Sequence, residues 1–252
     1  MQIVGYDTAA GDGPATLAVS EDGSVEAHPL RPGTALSFTL GDRHCAGTRT
    51  GDTHESCARD DAPYCEVHTS HWPCARCTGT CAMPVEACHE EHAVYLAAFA
   101  PSTIKVGVTR SWRLERRLRE QGADRAAHIR TVKNGRIARQ LEADLAERFT
   151  DRVRVPAKIE SLHRTVDRDR WETVLDDFDP IDTFDFDYGV SLETRPVAET
   201  FASGTVLGTK GRVLLLERVG TTYAVDLRDL VGYEVTTDAS ERSLQSSFGS
   251  FE

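Results

Sequence analysis

HAVYLAAFAPSTIKVGVTR, residues 92–110, is the stretch whose reading decides the fold. Two apolar runs flank Pro101 and Ser102, and paired runs separated by turn residues predict a β-hairpin. Beyond Arg110 the periodicity changes from that of a strand to that of a helix. Leu114 and Leu118 lie one turn apart, and Ile137, Leu141, Leu145 and Phe149 recur every fourth residue, which predicts two helices, the second with an apolar stripe. Strands followed by helices make an α+β unit, expected over residues 92–165.

On the amino-terminal side of the hairpin lie all seven cysteines, between Cys45 and Cys88. A secreted disulfide scaffold would scatter them through a shorter chain, so an odd, clustered set points to metal. Cys74, Cys77, Cys81 and Cys88 form a C-x2-C-x3-C-x6-C series, close enough for four thiolates to converge on one zinc ion. Four thiolates leave no open position, so that ion is expected to be structural. Cys45, Cys57 and Cys65 remain, with His68 three residues beyond Cys65, and a second, Cys3His site is expected from them. His54, three residues before Cys57, competes for the fourth place, and His44 and His71 stay as alternatives. This module, residues 44–91, has little apolar content of its own, so one or two zinc ions are expected to supply its folding energy.

Further out, short apolar runs such as MQIVGY, ATLAVS and TALSFTL, broken by Gly, Asp and Pro, predict a small β unit over residues 1–43. GTVLGTKGRVLLLERVGTTYAVDLRDLVGYEV predicts a second over residues 196–238. Between hairpin unit and second β unit, WETVLDDFDPIDTFDFD is read as a short helix around Trp171 and then an acidic, solvated connector, residues 166–195. Residues 239–252 are expected to form a flexible polar tail.

The chain of 252 residues carries a formal net charge of -11, and its only lysines are Lys105, Lys133, Lys158 and Lys210. Such a lysine-poor acidic composition suggests salt adaptation. Against this trend, Lys105 to Arg154 holds fourteen Lys or Arg and seven Asp or Glu, about +7 where the remainder is about -18. A basic island in an acidic protein predicts phosphate binding, through Arg110, Arg113, Arg116, Arg136 and Arg139. No apolar run of about 18 residues and no signal-like start is present, so no membrane partner and a cytoplasmic location are expected. Trp112 and Trp171 read as packing anchors.

VYLAAF, then KVGVTR, then an arginine on one helix and a glutamate on a later one, resembles the divergent edge of the GIY-YIG nuclease superfamily. From Cys74 to Thr237 the chain is similar to the prokaryotic domain-of-unknown-function family 2797, as a haloarchaeal-type member. The similarity is carried by GTC at 79–81, HAVYLA at 92–97, KVGVTR at 105–110, QGA at 121–123, DRDRWETVL, GTKGRVLLL and VGY at 231–233. The resemblance implies an α+β architecture in which the zinc module joins a GIY-YIG-like unit flanked by small β units. It also implies a Mg2+- or Mn2+-dependent endonuclease acting on DNA in repair or replication, with Tyr95 activating water, Arg117 (or, alternatively, Arg116) stabilising the phosphoryl transition state and Glu142 holding the cation. Lys105 takes the place of the second motif tyrosine, and Gln121 stands where active members carry histidine or tyrosine. A non-catalytic nucleic-acid-binding module or an adaptor is the alternative. The tail SLQSSFGSFE resembles a sliding-clamp docking peptide, with Gln245, Phe248 and Phe251 as its contacts and Glu252 in place of the second aromatic.

Overall fold

The structure is a computed structural model and describes residues 1–9, 11, 13–69 and 88–237. In chain order the strands begin with β1 (Gln2–Asp7), β2 (Thr16–Glu21), β3 (Ser24–Pro29), β4 (Ala35–Arg43), β5 (Thr48–Thr50) and β6 (Thr53–Glu55). The hairpin β7 (His92–Phe99) and β8 (Thr103–Arg110) runs through a 3₁₀ turn at Ser111–Arg113 into α1 (Leu114–Gln121). There follow β9 (Arg125–Val132), α2 (Gly135–Leu145), α3 (Val155–Glu160), α4 (Arg168–Leu175) and β10 (Asp182–Asp185). The chain continues through β11 (Val197–Ala198), β12 (Ala202–Lys210), β13 (Val213–Arg218), β14 (Thr221–Asp226), α5 (Leu227–Leu230) and β15 (Tyr233–Thr236). These elements fall into two compact units, one drawn from residues 1–70 and 188–252, the other from residues 71–187.

In the first unit the two β segments that read as separate, 1–43 and 196–238, join with β5 and β6 of the Cys-rich stretch in one sheet of eleven strands in the order β11-β14-β13-β12-β4-β15-β1-β2-β3-β6-β5. Strand β4 is the joint. Its residues Ala35 to Phe38 pair with β12, and Thr39 to Arg43 pair with β15. Leu17, Val19, Leu36, Phe38, Leu214, Leu216, Tyr223 and Val225 alternate along four strands and meet in one core, as the two-residue period of a strand requires. The four strands of the first segment and the five of the second thus share a single apolar core.

The second unit is an antiparallel sheet in the order β10-β9-β7-β8. Central β7 is covered on both faces, which explains its unbroken apolar run. Ala93, Tyr95, Ala97 and Phe99 pack with Leu114 and Leu118 of α1, while Val94, Leu96 and Ala98 pack with Ala138 of α2, Phe149 and Trp171 of α4. Gly122, in the left-handed region, ends α1, and Asn134 accepts from the Ile137 N–H to start α2. The expected apolar stripe is displaced: Leu141, Leu145 and Phe149 join the core, but Ile137 is 43% exposed and Ala138 turns inward instead. The region read as a solvated connector contributes β10, which pairs with β9, and its Phe184 and nearby Phe186 pack on the α1 side of the core. Among the described residues no helix is long and apolar enough to cross a membrane.

Candidate functional site

Within the first unit, Cys45 follows the end of β4, Cys57 follows β6, and Cys65 and His68 stand in one turn beyond. Their three sulfurs and one ring nitrogen all lie within 4.8 Å of one another. A tetrahedral zinc ion with Zn–S bonds of ~2.3 Å holds its sulfurs ~3.8 Å apart, so this Cys3His set could hold a metal ion such as zinc. His68 Nδ1 is 3.3 Å from Cys45 Sγ and 3.2 Å from Cys65 Sγ. Backbone N–H groups of Cys65 and Gly47 donate to Cys45 Sγ at 3.2 and 3.4 Å, the outer contacts that a metal thiolate uses. Burial works against ionising Cys65, but hydrogen bonds from the His68 and Val67 backbone, Cys45 and His68 outweigh it and bring the thiol to about 6. Burial raises Cys45. Gly47 has φ +60 and a Cβ there would stand 2.0 Å from the Glu55 carbonyl, so only glycine lets the chain after Cys45 pass the end of β6.

The competing histidines are committed elsewhere. His54 Nε2 donates to the Ala46 carbonyl at 2.8 Å and its Nδ1 meets Ser20 Oγ at 2.9 Å. His44 Nδ1 donates to the Cys57 carbonyl at 2.9 Å, and its Nε2 faces Glu234 at 3.3 Å. Of the other expected zinc set, Cys74, Cys77 and Cys81 lie outside the described residues, as do His71 and the tail residues Gln245, Phe248 and Phe251, and Cys88 alone is placed, half-buried.

In the second unit, Tyr95, Lys105, Arg117 and Glu142 come from β7, β8, α1 and α2, and Arg117 and Glu142 lie close enough to act on the ionisation of both Tyr95 and Lys105. Tyr95 is 1% exposed. It pairs across the hairpin with Gly107, where a Cβ would stand 2.5 Å from the tyrosine hydroxyl oxygen. The glycine of KVGVT therefore makes room for that ring. Gln121 Nε2 donates to Tyr95 Oη at 2.8 Å. Burial raises the tyrosine, offset in part by Arg117 and the Gln121 hydrogen bond. Lys105 donates to the Asp151 carbonyl at 2.8 Å. Burial and the Arg117 guanidinium lower Lys105 to about 8, against the opposing pull of Glu142 and Asp151. The Glu142 carboxylate is engaged through Oε2 by Arg139 at 2.6 Å.

The arginines expected to bind phosphate are distributed around these groups. Arg113, Arg116 and Arg117 converge on one carboxylate, Glu120, at 3.2, 3.2 and 3.3 Å. That hub escaped the sequence reading although Arg116 and Arg117 stand four and three residues before Glu120, the spacing of neighbours on a helix. Arg110 pairs with Glu90 at 2.8 Å. Arg136 and Arg139 are on α2. Trp171 is buried as an anchor, whereas Trp112 is 71% exposed, contrary to its expected packing role.

Fold and site together define a two-unit protein with a soft-metal ligand set in one unit and, in the other, a buried tyrosine with a lysine, an arginine and a glutamate near it. The chain belongs to the family described as "Protein of unknown function (DUF2797)", which matches residues 35–235. That span opens at the first residue of β4 and closes inside its partner β15, and it includes both groups of residues. No curated protein and no solved structure matches the chain.

Proposed function

We propose that this protein is a zinc-stabilised nucleic-acid-processing protein, a divergent GIY-YIG-type endonuclease acting on DNA in repair or replication. The observation that carries the reading is the convergence of Tyr95, Lys105, Arg117 and Glu142 from four different elements. Arg117 on α1 and Glu142 on the later α2 follow the hairpin in the order that the resemblance gives them.

Each group suits phosphodiester cleavage. The Arg117 guanidinium is half-exposed and can lie over charge that develops on a phosphoryl oxygen. Lys105, with its ammonium lowered to about 8, is neutral in a sizeable fraction of molecules at mildly alkaline pH and can take a proton from water. Gln121 donates to Tyr95 Oη, which leaves the tyrosine's own proton to be directed to a second acceptor. Glu142 fits a hard divalent cation, since Mg2+ is held by one or two carboxylates plus substrate phosphates. Such a cation, when bound, supplies Lewis-acid charge to the scissile phosphate.

The test is Mg2+- or Mn2+-dependent cleavage of branched and single-stranded DNA at high salt. Glu142→Ala is expected to abolish cleavage and leave DNA binding intact. Cleavage that persists in this variant rejects the assigned role of the carboxylate. A second reading, binding without cutting, is favoured by the Arg139–Glu142 ion pair, which neutralises the carboxylate, and by the burial of Tyr95. Salt-dependent binding with no cleavage under any divalent cation would select it.

A further inference from the structure

Trp112 sits in the 3₁₀ turn between β8, which carries Lys105, and α1, which carries Arg117. Tryptophan is the side chain with most to gain from burial, and Trp171 of the same unit is 3% exposed, yet Trp112 is 71% exposed. Its place is not accidental slack. The indole N–H reaches Glu90 Oε2 at 3.4 Å, and Arg110 holds that same oxygen at 2.8 Å. The Arg113 guanidinium stands 5.9 Å from the ring centroid. From residue 110 to 117 the chain carries four arginines and one glutamate. An anchored aromatic surface open to solvent, set among cations, matches a ligand that offers a flat π-face and a phosphate together.

We propose that Trp112 is a stacking platform for an unpaired nucleobase, so that the substrate class of this site is single-stranded or locally unpaired nucleic acid rather than continuous duplex. The inference rests on the nucleic-acid reading above and narrows it. In a duplex each base face is already covered by its neighbours, and an exposed ring gains nothing there. An unpaired base lies free to cover the indole, while Arg110, Arg113 and Arg116 meet the flanking phosphates. Stacking is indifferent to the sugar, so the same ring serves DNA and RNA strands.

The experiment titrates the full chain, purified without chelator, with a labelled single strand of about 15 nucleotides, of DNA and of RNA, and with a blunt duplex of equal length. Trp112→Ala is expected to weaken single-strand binding about 5- to 150-fold, the equivalent of one base–aromatic stack. Trp112→Phe keeps most of the affinity, and duplex binding moves by less than about twofold in either variant. Since the ring is outside the core, thermal unfolding of both variants should match wild type. Single-strand binding unchanged in Trp112→Ala, or an equal loss on duplex and single strand, overturns the stacking role. Combined replacement of Arg113, Arg116 and Arg117 by Glu separates the two ideas. If it weakens all strands while Trp112→Ala weakens none, stacking alone fails. If wild type binds no strand at all, the nucleic-acid reading fails and stacking with it.

Discussion

Lys105 illustrates how a single residue carries the conflict between burial and chemistry. Its ammonium is drawn into the second unit, next to Arg117, with the Asp151 carbonyl as its hydrogen-bond acceptor. The charged form is disfavoured there, so the folded pKa of about 8 lies below the ordinary lysine value of 10.5. Between these two values the unfolded chain holds a proton that the folded chain has released, and stability therefore rises with pH through that window. Below about pH 8 the penalty is present in full, on the order of 3 kcal/mol. Replacing Lys105 by Met removes it. Unfolding free energies measured from pH 7 to 10 should show Lys105→Met more stable than wild type at the low end, with the gap closing towards the high end. A gap that is constant with pH would mean that the ammonium is as well solvated in the folded chain as in the unfolded one.

At the scale of elements, the second unit is held together by what lies on either face of β7. Helix α4 is short, with Arg168, Asp169, Arg170 and Glu172 exposed, and its hold on the sheet is Trp171, buried in the cluster with Val94, Leu96, Ala98 and Phe149. Asp167 caps the helix by accepting from the Arg170 N–H at 3.0 Å, and the Asp167 N–H donates to the Pro101 carbonyl at 2.7 Å. Trp171→Ala should cost about 3–5 kcal/mol, the range for removing a buried aromatic, and Trp171→Phe clearly less. Urea unfolding followed by circular dichroism checks this. A loss below about 1 kcal/mol would show that the site collapses around the missing ring.

For the whole molecule, the Cys3His set joins three stretches of chain, the ends of β4 and β6 and the turn at Cys65–His68. Metal affinity gained only in the folded state is folding free energy. Native protein purified without chelator is expected to carry one to two zinc ions by elemental analysis, and excess chelator should lower its Tm. Cys65→Ser should lose one metal equivalent and show the lowered Tm before any chelator is added. Protein found free of zinc, with a Tm indifferent to chelator, would reject the metal centre.

The hairpin was legible because its signal is local: eight residues with no polar interruption, a Pro-Ser break and a second apolar run. The same holds for α1, α2 and the helix at Trp171, each marked by spacing within one or two turns, and for the soft-metal chemistry, which follows from clustered thiols. Strands β9 and β10 were not legible. RAAHIRTV lacks alternation and takes its stability from the strands beside it, while in DTFDFD the alternation of Phe184 and Phe186 with aspartates was hidden by the acidic run around it. Union of the two terminal β segments through β4 depends on pairing across some two hundred residues, for which no local pattern exists. Chemistry at the residue level divides the same way. Residue types and spacing pointed to Cys45, Cys57, Cys65 and one of several histidines, whereas Tyr95, Lys105, Arg117 and Glu142 were singled out by the family resemblance. The choice of His68, the engagement of Glu142 by Arg139 and the exposure of Trp112 were settled only by tertiary structure, because each depends on which distant atoms occupy the space beside the side chain.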